Sequence, residues 1–222
     1  PVLMNAWLPN VKAVLHAWFA GQEAGLALTD VLFGDVDATG RLPVTFAKRW
    51  EDAAAYASST AAGANVMYPG TRGEVRYDEG ILVGYRHFDT HAVAPEFPFG
   101  HGLSFTTFAY SDLRIGEPTP EHHVDVHVRV KNTGQRPGSE VVQLYVHDVT
   151  SRVERPEQEL KGFSKVALAP FEERDVSIQL DARAFSFFDP DQHDWTIEPG
   201  EFEVRVGASS RDVRLRGTVT LE

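Results

Sequence analysis

Tyr77 to Phe108 reads YDEGILVGYRHFDTHAVAPEFPFGHGLSFTTF, and it separates two halves of unlike pattern. Its glycines permit sharp turns and its aromatic rings bury large areas, which suits a packed connector better than a loose linker. Ahead of it, helix and strand signals alternate. Behind it, nearly every segment has the period of a strand.

Downstream, Val124, Val126, Val128 and Val130 alternate with polar residues, the mark of a half-buried antiparallel strand. Asn132-Thr133-Gly134 supplies a turn, and strands are predicted over Glu140 to His147, Leu160 to Leu168, Val176 to Leu180, Phe202 to Val206 and Val213 to Leu221. About seven short strands at this spacing predict an immunoglobulin-like or fibronectin type III sandwich.

Upstream, Lys12 to Phe19 is apolar and short, and predicts a strand buried on both faces of a parallel sheet. Leu26, Leu28, Val31, Leu32 and Phe33 follow at helical spacing, with Gly34 placed to cap the C-terminus. Asp35 to Gly40 carries turn chemistry, and a further strand is predicted around Val44 and Phe46. This β, helix, β order belongs to an α/β layer. One or two strands and one helix do not close such a layer, so the start of the chain reads as the last part of a larger α/β domain. Ala53 to Gly70, rich in Ala, Ser, Thr and Gly, reads as a surface loop. The fold class is therefore α/β plus all-β: a partial α/β sandwich layer over 1–70, a connector over 71–112 and a β-sandwich over 113–222.

The composition limits the functions available. The chain has 222 residues, and 42% hydrophobic content is enough for real cores. Acidic residues outnumber basic ones by 32 to 21 and are scattered, which argues against nucleic acid or an anionic membrane as partner. No stretch approaches the ~20 apolar residues that span a bilayer. The absence of cysteine excludes disulfides, thiolate metal sites and cysteine nucleophiles.

Several constellations invite a catalytic reading. Glu23 lies at a helix start, where a carboxylate interacts favourably with exposed amides, so it is expected to cap. Asp78 and Glu79 suggest glycoside chemistry, yet neighbours on an extended chain point apart, whereas a retaining hydrolase brings two carboxyl groups to ~5 Å. Loop anchoring, or ion pairs with Arg76 or Arg86, is expected of them. His123, Asp125 and His127 share a strand face but stand ~7 Å apart along it, too far for one zinc; a solvated face is expected. His101, between two glycines, is expected to hold backbone carbonyls in a tight turn. No nucleophile elbow, phosphate loop, dinucleotide fingerprint or zinc helix is present.

Three runs taken together, AWFAGQEAGLALTDVLFGDVDATGRLPVTF, YDEGILVGYRHFD and FPFGHGLSFTTF, resemble the C-terminal portion of glycoside hydrolase family 3 β-glucosidases. EVVQLYV, LKGFSKVAL and PGEFEVRVG are similar to that family's fibronectin type III-like terminal domain. The resemblance implies a retaining hydrolase of terminal β-D-glucosyl residues, with no cofactor and no metal. It also implies an N-terminal barrel and the rest of the α/β domain as partners, in the same or a separate chain. The family's nucleophile and acid/base motifs cannot be placed on these residues, so the resemblance assigns no catalytic residue here. It leaves Tyr77, Asp78, Glu79 and Arg86 as residues near a β-glucoside substrate. Two other readings stand beside it. One is a non-catalytic carbohydrate-binding module using Trp195 and the Phe185, Phe187, Phe188 cluster, although Phe185 and Phe187 alternate as core residues do. The other is a small independent hydrolase using Glu23 with Glu79.

Overall fold

The computed structural model describes residues 2–56, 75 and 77–222. Most of the predicted Ala53–Gly70 loop, and Arg76, lie outside them. Among the described residues, helices α1 (Ala24–Phe33) and α2 (Tyr85–Thr90) precede the sandwich, with 3-10 turns at Leu8–Asn10 and Trp50–Asp52, and 54–56, at the start of the predicted loop, are helical instead. The predicted cap closes α1: Gly34 takes the left-handed conformation at φ 80°, and the Asp35 N–H returns to the Asp30 carbonyl. Among the described residues, no helix is long and apolar enough to cross a membrane.

Two predicted strands are corrected. Lys12 to Phe19 is irregular, Trp18 has a positive φ of 49°, and Val14, Leu15, Trp18 and Phe19 are exposed. A parallel strand exists through its ladder, and none of the described strands lies alongside this one to form it. Around Val44 and Phe46 there is only a single bridge, Phe46 to Phe97. Pro43, Pro95 and Pro98 crowd the two segments and lack the N–H groups a longer ladder requires.

The strands predicted beyond the connector are all present, and a further one that was not predicted begins inside the connector at Phe108. The strands are β1 (Phe108–Ile115), β2 (Val124–Asn132), β3 (Gly138–Asp148), β4 (Glu159–Leu168) and β5 (Glu173–Leu180), then a short helix α3 (Ala182–Phe185). A small hairpin follows, β6 (Phe187–Asp189) with β7 (Asp194–Thr196), and β8 (Gly200–Gly207) and β9 (Val213–Leu221) end the series. One sheet has the order β1-β2-β5 and the other β4-β3-β8-β9, with all pairs antiparallel. The helix and hairpin between β5 and β8 carry no clear period in the sequence. Asp181 starts the helix by accepting the Ala184 N–H, which lets Phe185 enter the core against Phe202.

The alternating residues make the core. Val124, Val126, Val128 and Val130 face Val142, Leu144, Val146, Phe202, Val204 and Val206. Each such side chain, fully buried, contributes roughly 1.5–3 kcal/mol relative to exposure. Gly162 on β4 lets the sheets meet closely, since a Cβ there would lie 2.5 Å from Ile178 Cγ2. The outer face of β3 departs from the pattern. Gln143 and Tyr145 occupy its solvent-side positions, yet both are buried, because the connector covers them.

Candidate functional site

That covered face is the most elaborately built polar region of the described residues. Tyr85 opens α2 and stacks on Phe99 with ring centres 4.6 Å apart, meeting Tyr145 edge-on. Its hydroxyl accepts the Leu160 N–H at 2.8 Å, and burial pushes its pKa up. Tyr145 donates to Gln143 Oε1, and Gln143 Nε2 donates in turn to the carbonyls of Gly100 and Ala208. Gly100 must be glycine there: φ is +81°, and a Cβ would sit 2.0 Å from Gln143 Oε1.

Two further clamps flank this stack. On one side the Asp89 carboxylate accepts from Gln158 Nε2 at 2.9 Å and pairs with Arg211, which also donates to the carbonyls of Phe88 and Val93. Thr90 Oγ1 accepts the Glu157 N–H. On the other side the Asp37 carboxylate accepts from Ser104 Oγ and from the main-chain N–H groups of Phe105 and Ser139. Arg41 meets Glu140 at 2.8 Å with side chains only 9% and 4% exposed. Breaking a pair so deeply buried leaves a bare charge and costs about 3–5 kcal/mol. Lys165 reaches Thr39, and Arg136 donates to the Gly34 carbonyl.

The expected substrate-side residues run from a turn at Tyr77 to the second residue of α2, Arg86. Tyr77 and Asp78 are exposed and Glu79 is half-buried; all three sit in a turn closed by the Gly80 N–H on the Tyr77 carbonyl. Arg86 points to the sandwich, pairing with Glu159 at 3.0 Å and lying over the Tyr85 ring. Glu159 also meets Lys161 and Arg155, and Arg155 meets Asp148 at 2.8 Å. The arrangement brings Arg86 into a charged network. It does not draw Tyr77 or Asp78 into it.

Glu23 is the N-cap residue of α1, but its side chain makes no capping bond; only its carbonyl serves, accepting the Ala27 N–H. His101 does sit in the expected tight turn, with its N–H on the Pro98 carbonyl and its own carbonyl accepting from Leu42. The ring, however, stacks on Phe97 instead of holding carbonyls. Burial, then the nearby Arg41, lowers its pKa. Asp125 accepts from Gln179 across the β2–β5 pair. Among the described residues no group of three or more His, Cys, Asp or Glu side chains could hold a metal. Phe185 and Phe187 are buried as expected, whereas Phe188 and Trp195 form an exposed edge-to-face pair. The Arg183 guanidinium lies over the Trp195 ring, where a sugar would stack.

Comparison with known proteins accounts for the division of the chain. Residues 1–85 match the model of the glycosyl hydrolase family 3 C-terminal domain, and residues 140–210 match that of the fibronectin type III-like domain. The chain belongs to glycoside hydrolase family 3. It is 46% identical over 215 residues to thermostable beta-glucosidase B of Acetivibrio thermocellus, covering 96% of this chain and 27% of that protein. Beta-glucosidase BoGH3A of Bacteroides ovatus is 43% identical over 97% of the chain and 28% of its own length. Among solved structures, the Bifidobacterium adolescentis GH3 beta-glucosidase superimposes with a TM-score of 0.91 at 39% identity, over 99% of this chain and 31% of that one. Beta-glucosidase 3B of Thermotoga neapolitana, solved with α-D-glucose, gives 0.89 at 39% identity over 99% and 30%. This family 3 chain therefore corresponds to the C-terminal part of its relatives, spanning between a quarter and a third of their length. In family terms the seam joins the two matched domains: Asp37, Arg41 and Tyr85 fall in the first, and Glu140, Gln143, Tyr145, Gln158 and Glu159 in the second.

Sequence reasoning missed Gln143, Tyr145, Asp89, Gln158 and Arg211. Each is a polar residue at a position that reads as solvent-facing, so no local signal marks it.

Proposed function

We propose that this chain is the C-terminal part of a β-glucosidase, acting on terminal non-reducing β-D-glucosyl residues by a retaining double displacement. The observation that carries the reading is near-complete coverage of the chain by β-glucosidases that are each more than three times its length. In this reading residues 1–70 complete an α/β domain, 71–112 strap it to the sandwich, and 113–222 form a non-catalytic terminal domain. A barrel and the remaining α/β portion supply the nucleophile and the acid/base. The exposed apolar residues of the leading segment, among them Trp18, Phe19, Leu32 and Phe33, support a partner that covers them. Tyr77, Asp78, Glu79 and Arg86 are proposed to lie near the substrate.

The test is hydrolysis of an aryl β-glucoside by the purified chain alone and with the upstream polypeptide supplied. No turnover alone, and turnover with release of β-glucose as first product after reconstitution, is the expected result. Turnover by the pure isolated chain would overturn it.

A further inference from the structure

His87 on α2 and His91, the C-cap residue that ends it, are two histidines that the seam leaves unused. His87 and His91 are four residues apart, a spacing that places side chains on one helix face, and their ring centres lie 4.7 Å from each other. One nitrogen of each ring is already committed. His87 Nε2 is 3.2 Å from the Asp52 carbonyl oxygen, and His91 Nδ1 is 3.1 Å from the His87 carbonyl oxygen. A carbonyl only accepts, so in the neutral rings these nitrogens carry the protons. The lone pairs are left on His87 Nδ1 and His91 Nε2. Metal-ligating histidines show this same arrangement, with the far N–H given to a carbonyl that fixes tautomer and ring orientation.

We propose that His87 and His91 form a two-imidazole binding site for a divalent transition-metal ion, with water completing the coordination. Imidazole ligands suit copper, nickel and zinc and not magnesium or calcium, which take oxygen; copper(II) is the tightest of the series. With two protein ligands among the described residues, the site is exchangeable, unlike a closed structural zinc site. Binding there would pin the C-terminal end of α2, the helix whose Tyr85, Asp89 and Thr90 hold the sandwich.

The test is titration of the complete purified protein with copper(II) and with zinc(II) in a non-chelating buffer, followed by calorimetry and copper electron paramagnetic resonance. One strongest site, with hyperfine structure from two nitrogen ligands, is expected. His91→Ala, at an exposed position, should weaken it by about tenfold or more and leave one nitrogen. His87→Gln should do the same, and His122→Ala should change nothing. Absence of binding, or a strongest site that survives His91→Ala unchanged, would overturn the assignment.

Discussion

The segment ahead of the sandwich is the more apolar of the two in sequence, yet it is the sandwich that closes its own core. Val124 between the sheets is 0% exposed, while Phe19 in the leading segment is 101% exposed. The difference lies in period. Alternation puts one face of every strand inward, and two such sheets are complementary to each other within one chain. α1, by contrast, leaves Leu26, Leu32 and Phe33 exposed, with none of its residues buried among those described.

Substitutions on the two sides of this divide should behave differently. Leu144→Ala in the core is expected to cost about 2–5 kcal/mol. Leu32→Ala on α1 should stay within about 0.5 kcal/mol in this chain. Urea denaturation followed by near-ultraviolet circular dichroism measures both, and equal losses would mean that α1 has a buried partner.

Between the extremes stands the seam. Gly102→Val would drive its Cβ to within 2.4 Å of the Gly40 carbonyl oxygen, an overpacking expected to cost about 1–3 kcal/mol. Amide exchange should accelerate at Leu42 and Gly100 while β2 and β5 stay protected; unchanged exchange at Leu42 would remove Gly102 from the docking contact.

A smaller, pH-dependent effect is expected from Glu159. Burial alone would raise its pKa, but Lys161, Arg86 and Arg155 outweigh burial and hold the carboxyl below its ordinary value of 4.5. The folded state then binds fewer protons than the unfolded one across this range. The stabilisation is whole above the ordinary value and disappears as pH falls through the folded one. The stability difference between the wild type and Glu159→Gln should therefore shrink on going from about pH 6 to about pH 3. A difference independent of pH would count against the Arg86–Glu159 tie. The smallest effect belongs to Glu23→Gln, expected within about 0.5 kcal/mol because the carboxylate makes no capping bond; a loss above 1 kcal/mol on the scale of a lost cap would contradict that geometry.

What could be read in the sequence follows the same divide. The valines of β2 announce their own strand because the partner sheet lies in the same chain. Gly34 announces the end of α1 because its left-handed conformation is a local requirement. Lys12 to Phe19 misleads, since apolar composition specifies burial but not what provides it. The burial of Gln143 and Tyr145 could not be read from their own strand, because segments remote in sequence, around Tyr85 and Gly100, cover them. At the candidate site the sequence offered Asp78 and Glu79 as partners for Arg86, and its tie to Glu159 was hidden because an acid on that strand looks unremarkable.

The pairing of Asp89 with Arg211 joins residues 122 positions apart, and Ser210 in the same β8–β9 turn donates its N–H to the Phe99 carbonyl of the connector. During synthesis the connector therefore leaves the ribosome long before this last set of anchoring groups exists. Until the last hairpin is made the anchors it supplies are missing, at the stage when an unfinished chain is most prone to aggregate.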